Sequence, residues 1–239
     1  LNVERLSDRL RLRKQLDSLK RSIDQTGVMD AMDSFEQQAV DLVLSNSKDA
    51  FDISKENPHL KERYGPGLGE QLLGARRLCE AGCGFVMLNY GWAQTPSKTP
   101  FAWDMHLGPS QKNAPPMKRQ LETIFPMFDH AIGTFLEDVS ERGLSDKILL
   151  VITGDFGRTP KMNQYGGRDH WPGLCTLALA GGGLRSGQVV GTSSAKAEYP
   201  ISSPYEPKDL MATIFHVLGI DHRLQTDDFS GRPNYLLPD

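Results

Sequence analysis

Two stretches of this sequence hold the residue types that bind cations and oxyanions. Trp103-Asp104-Met105-His106 sets a carboxylate and an imidazole two positions apart. Thr153-Gly154-Asp155-Phe156-Gly157-Arg158-Thr159-Pro160, then Gly167-Arg168-Asp169-His170-Trp171-Pro172, adds further carboxylates, another imidazole and two guanidinium groups. Carboxylate oxygen and neutral imidazole nitrogen together suit zinc, manganese or iron in a hydrolytic or Lewis-acid site. Spacing by itself leaves a second role open for the same histidines, as hydrogen-bonded structural residues. Arg158 and Arg168 match tetrahedral oxyanions such as phosphate or sulfate through paired hydrogen bonds. Salt bridges to Asp155 or Asp169 are the competing use of these two arginines.

Other chemical signals are absent or weak. The chain has no G-x-S-x-G and no H-E-x-x-H, which removes the usual serine-hydrolase and metalloprotease patterns. Gly181-Gly182-Gly183 is followed by Gln188-Val189-Val190-Gly191, which opens no helix, so a tight turn is expected there rather than a phosphate loop. His59, His216 and His222 are read as structural. Among three cysteines, Cys79 and Cys83 could pair, although partly buried free thiols are the reading favoured for Cys79, Cys83 and Cys175.

The elements that must position these residues follow from apolar periodicity. Leu6, Leu10, Leu16, Leu19 and Ile23, then Met32, Phe35, Ala39 and Val43, keep to helical stripes. Residues 57–69 read as a Pro- and Gly-rich loop, 70–81 as a helix stopped at Gly82, and 85–90 as a buried strand. Met117 to Val139 follows helical spacing with a kink expected at Pro126 and an end at Gly143. The run 148–153 reads as a strand covered on both faces, 174–180 as another, and 187–204 as an irregular excursion or short hairpin. A last helix spans 208–218 and closes at Gly219. Helices alternating with buried strands predict an α/β fold: three layers, a mostly parallel sheet with helices on both faces, and ligands outside the carboxyl ends of the strands.

With 239 residues, 38% hydrophobic and 24% charged, the chain is sized for one full domain with an ordinary soluble composition. The net charge of −3 argues against nucleic acid as a partner, and the cluster Arg9, Arg11, Arg13, Lys14, Lys20, Arg21 is interleaved with Asp8, Asp17 and Asp24 as on a solvated helix face. No apolar run reaches the ~18 residues of a membrane span, and no signal-peptide pattern opens the sequence. Because the chain starts at Leu1 inside a helical pattern, a preceding part is expected to be missing.

The paired motifs around Asp155 and His170, with Trp103-Asp104-Met105-His106 and the helix 72–80 upstream and Leu179-Ala180-Gly181-Gly182-Gly183 and 209–219 downstream, resemble the bacterial family called domain of unknown function 1501. That family is similar to the alkaline-phosphatase and sulfatase superfamily. The resemblance implies that residues 1–239 form the C-terminal portion of one such domain, with a helical segment at 1–60 and an α/β core at 70–239. It implies a divalent-metal-dependent hydrolase of phosphate or sulfate esters, using zinc or manganese and acting on small-molecule or polysaccharide esters. It further implies a periplasmic or secreted location. Asp104, His106 and His170 match the first metal site, Asp155 matches one ligand of the second, and Phe156 stands where that second site has a histidine. Nothing matches the upstream aspartate or the nucleophile, so negligible hydrolysis is expected of this chain alone. A binding or scaffold protein that kept the fold and lost the chemistry is the alternative.

Overall fold

A computed structural model describes residues 47–93, 101–109 and 116–237. The expected helices at 6–23 and 32–43, with their basic cluster, lie outside the described residues. The chain divides into two compact units, Leu1–Arg63 with Glu70–Met87, and Tyr64–Gly69 with Leu88–Asp239.

The described part of the first unit is mainly helical. Helix α1 (Ser47–Phe51) leads into a 3-10 turn at Ile53–Lys55, where the Asp52 carboxylate accepts the Ser54 N–H, and then into α2 (Pro58–Tyr64). The loop expected at 57–69 is thus partly helix. Proline suits the first helical position, where its missing N–H is an orphan anyway. Asn57 caps it by accepting the His59 N–H at 2.9 Å. Helix α3 (Leu68–Glu80) buries Leu72 and Leu73, and its Arg76 is almost wholly buried. Its charge is matched by Glu56 at 2.5 Å and by Glu80. Arg77 joins Glu56 at 3.0 Å and donates to the carbonyls of Asp49 and Ala50.

The second unit is organised on α4 (Met117–Glu141), a helix of 25 residues whose buried positions Gln120, Ile124, Ala131, Thr134, Phe135, Asp138 and Val139 fall on one stripe. Pro126 lies inside it. The buried Asp138 carboxylate accepts Tyr64 Oη–H at 2.8 Å and Arg142 Nε–H at 2.7 Å, which satisfies a charge that burial would otherwise disfavour. Helix α5 (Pro207–Val217) starts with a capping box between Glu206 and Asp209. Helices α3, α4 and α5 all end on a left-handed glycine, Gly82, Gly143 and Gly219. The following N–H reaches back to Leu78, Val139 and Phe215 respectively, the Schellman closure expected from the sequence.

The strands overturn the expected fold class. Every strand pair among the described residues is antiparallel and two-stranded: β1 (Trp92–Ala93) with β2 (Phe101–Ala102), β3 (Leu149–Ile152) with β6 (Ala178–Gly181), β4 (Gly157–Arg158) with β5 (His170–Trp171), and β7 (Gln225–Asp227) with β8 (Pro233–Tyr235). No three-layer parallel sheet forms among them. The apolar run at 148–153 does become a strand, but its partner runs the other way, with Leu149 opposite Gly181 and Ile152 opposite Ala178, and all four residues are only half-buried. A short apolar run encodes burial but not the direction of its neighbour, so the parallel reading had no register to support it. Residues 85–90 form no strand. Phe85 and Met87 there are 70% and 81% exposed. The 187–204 segment is irregular apart from one bridge between Ser193 and Pro200.

All three cysteines are free; Cys79 is half-buried, and Cys83 and Cys175 are exposed, against the expectation of partial burial. Burial pushes the Cys79 thiol up from its ordinary pKa. Among the described residues no helix is long and apolar enough to cross a membrane.

Candidate metal centre

The segment after β2 alternates. Met105 and Leu107 are buried at 5% and 6% exposure, and Met105 packs on Ile124 with Tyr90, Trp103, Met117 and Leu121 around them. Trp103 meets the rings of Phe125 and Phe128 edge-on at 5.3 and 5.2 Å. Extended chain sends successive side chains to opposite sides, so burying Met105 and Leu107 turns Asp104 and His106 together towards solvent. Their spacing of two positions, read in the sequence as a carboxylate and imidazole pair, is the spacing that an extended segment needs.

The β4–β5 hairpin brings the third residue. Arg158 stands directly opposite His170 in the register. The hairpin is tied by the Thr159 N–H to the Asp169 carbonyl at 3.0 Å and by the Asp169 N–H to Thr159 Oγ1 at 3.0 Å. The hairpin is in turn tied to the first segment, since the Arg168 N–H donates to the Met105 carbonyl at 3.1 Å. Gly167 permits this approach: a Cβ there would lie 2.5 Å from the Met105 carbonyl oxygen and 2.8 Å from the backbone of Leu107.

Together these ties bring one ligand atom from each of Asp104, His106 and His170 within 4.8 Å of one another. A single oxygen, Asp104 Oδ1, lies 2.7 Å from His106 Nδ1, 2.8 Å from Arg158 Nη2 and 3.5 Å from His170 Nε2. Partial burial tends to raise the Asp104 pKa, but hydrogen bonds from His106 and Arg158 and their positive charge outweigh it and hold the carboxyl at about 2. The three side chains are 49%, 40% and 48% exposed in the order Asp104, His106, His170, so the group is open to solutes.

The donor set fits a divalent ion of the zinc class. Tetrahedral ligands on bonds of about 2.0 to 2.1 Å stand roughly 3.3 Å apart. The 3.5 Å between Asp104 Oδ1 and His170 Nε2 is close to that separation. The 2.7 Å between Asp104 Oδ1 and His106 Nδ1 is a hydrogen-bond distance, and an ion held by both atoms would replace the shared proton and part them by roughly half an ångström. One carboxylate and two imidazoles also leave room in the coordination shell for water or substrate, as in catalytic zinc sites.

The remaining predicted residues fall at different places. Asp155 is outside the three-residue group, and its carboxylate accepts the Phe156 N–H at 3.0 Å. Arg158 touches the group through Asp104, whereas the Arg168 guanidinium donates to the Thr159 carbonyl at 3.2 Å. Neither arginine bridges Asp155 or Asp169 in the contacts of the described residues. The Asp169 carboxylate accepts from Asn163 Nδ2 at 2.9 Å. Phe156 has a role that its lack of lone pairs concealed. Its ring lies 4.2 Å from that of His170 with 36° between the planes, and 5.7 Å from the Arg158 guanidinium carbon. His106 meets the His170 ring edge-on at 5.1 Å.

Sequence reasoning passed over Asn163 altogether. An Asn ahead of Tyr165-Gly166-Gly167 is a turn signal, and its Oδ1 does accept the Tyr165 and Gly167 N–H groups at 3.0 Å each.

In comparison with known proteins, the profile of the family described as "Protein of unknown function (DUF1501)" matches residues 1–237. No curated protein and no solved structure matches the chain.

Proposed function

Starting from a chain that belongs to the DUF1501 family, we propose that it holds one divalent cation, zinc or manganese, on Asp104, His106 and His170, as part of a hydrolytic centre for phosphate or sulfate esters. The observation that carries this reading is the convergence of those three ligand atoms within 4.8 Å, from segments far apart in the sequence. The set of one aspartate and two histidines is also that of the first metal site in the alkaline-phosphatase and sulfatase superfamily. The likeness proposed is one of ligands, not of sheet architecture.

The residues divide the work as follows. Asp104 stays ionised at neutral pH and supplies the negative charge that a dication needs. Phe156 holds the His170 ring at its face. When bound, the cation would act as a Lewis acid on an ester oxygen. Arg158 presents a guanidinium at the rim, where it can pair with two oxygens of a tetrahedral anion once it turns from Asp104.

Elemental analysis after loading with zinc or manganese tests the metal half. One equivalent, lost in His170→Ala, is expected, and two equivalents or none would sink it. With no nucleophile matched in this chain, negligible turnover of aryl phosphate or aryl sulfate is expected of it alone, and the hydrolytic half is tested by binding of inorganic phosphate or sulfate to the zinc-loaded chain. An ion-loaded chain that takes up neither anion would instead be a binding protein for another ligand, a reading favoured by Phe156 sitting beside His170 where a further ligand would serve a second ion.

A further inference from the structure

We propose that Asn163 is the positioning residue of the metal centre, setting the distance between the ligand pair Asp104 and His106 and the third ligand His170. This rests on the reading that those three residues hold the ion.

One amide makes five contacts. Asn163 Nδ2 faces the carbonyls of His106 and Leu107 at 2.8 and 2.9 Å and Asp169 Oδ1 at 2.9 Å, while Oδ1 accepts from the N–H groups of Tyr165 and Gly167. Only this orientation of the amide works, since the opposite one would set an oxygen against three oxygens. Its two hydrogens are thus shared among three acceptors. Two of these acceptors lie on the strip that carries Asp104 and His106, and the third is the side chain next to His170. The backbone joins in, with the Asn163 N–H donating to the Gly167 carbonyl at 2.7 Å. Asn163 is half-buried and Leu107, whose carbonyl it holds, is buried, so these bonds are shielded more than those of the exposed ligands.

Without Asn163 Nδ2, the described residues keep one main-chain tie between the two segments, the Arg168 N–H to the Met105 carbonyl, and the exposed contacts of Arg158 and His170 with Asp104. An exposed pair of that kind restrains geometry weakly. The strip 104–107 and the hairpin could then slide by a fraction of an ångström with little cost. A tripod of ligands tolerates such slack poorly, because bond lengths to the ion are fixed to about 0.2 Å.

The amide performs two jobs that substitution can separate. Its Oδ1 shapes the turn 163–167, and its Nδ2 clasps the two segments. Asn163→Ser keeps a turn-capping oxygen but is too short for the clasp, and Asn163→Ala removes both. Zinc affinity of the whole chain, read by competition with a chromophoric chelator, should fall about 10- to 100-fold in both variants. The melting temperature without metal should move by only about 2 to 4 °C. The visible spectrum of the cobalt-loaded protein should change as well, because it reports ligand geometry and not stability. Wild-type zinc affinity and an unaltered cobalt spectrum in Asn163→Ser would show that the residue only shapes the turn, and would overturn the proposal. If neither variant folds, the role is structural and the proposal falls too. A wild-type chain that takes up no zinc, or keeps it in His170→Ala, defeats the metal reading itself, which is a distinct result from failure of the Asn163 variants alone.

Discussion

Asp104 Oδ1 faces two imidazoles and one guanidinium. Both the neighbouring Arg158 charge and its claim on that oxygen oppose a dication. Charges a few ångströms apart near a surface interact by up to about 4 kcal/mol, and exposure of the site reduces this well below that bound. Arg158→Gln should therefore tighten zinc binding by roughly three- to tenfold at low salt, with the gain shrinking as salt rises. Weaker binding in a chelator competition would instead show that Arg158 serves to hold the carboxylate in place. At this scale the sequence was legible where chemistry depends on residue type: Asp104, His106 and His170 do come together. It was not legible where a role depends on what a side chain reaches. The Asn163 amide owes its part to carbonyls more than 50 positions away, and the Asp169 carboxylate turned to that amide and not to a histidine.

Among the elements, α1 to α3 hold a buried charge cluster whose response to acid can be worked out. Partial burial tends to raise the Glu56 pKa, but hydrogen bonds from Arg76, the Asn57 N–H and Arg77 outweigh it and bring the carboxyl to about 2, against 4.5 for a free glutamate. A depressed carboxylate contributes stability above the unfolded value and loses it as pH falls from about 4.5 through about 2. Glu56→Gln should cost roughly 2 kcal/mol at pH 7, less than the loss of a sole partner because Glu80 still pairs with Arg76. Urea unfolding of both proteins should give a difference that vanishes near pH 2. A difference independent of pH would mean that packing, not charge, holds this cluster. Helix ends were readable from single residues, as Gly82, Gly143 and Gly219 each close a helix. Pairing between strands was not. The run 148–153 and the stretch 85–90 look alike in apolar content, yet one becomes an antiparallel strand and the other leaves Phe85 and Met87 exposed. What separates them is the presence of a partner, here residues 178–181, and no local pattern names a partner.

For the molecule as a whole, the contacts that build the centre join residues 54 to 66 positions apart, and the 25-residue helix α4 lies between them. Time enters here. Closing a flexible loop of that length costs roughly 3.5 kcal/mol of chain entropy before any contact is gained. Helix α4, by contrast, forms from neighbours within a turn of one another, on a scale of about a microsecond. A formed helix of this size is a strut roughly 37 Å long that leaves the remaining links far less to search. Refolding should accordingly run in a fixed order: far-UV ellipticity recovers first, and the capacity to capture zinc from a dye returns in a later, slower phase. Equal rate constants for the two signals in a stopped-flow experiment would rule that order out. A nascent chain would then acquire its ion at the end of folding, when 104–107 and 158–170 have met, and not while α4 is still being made.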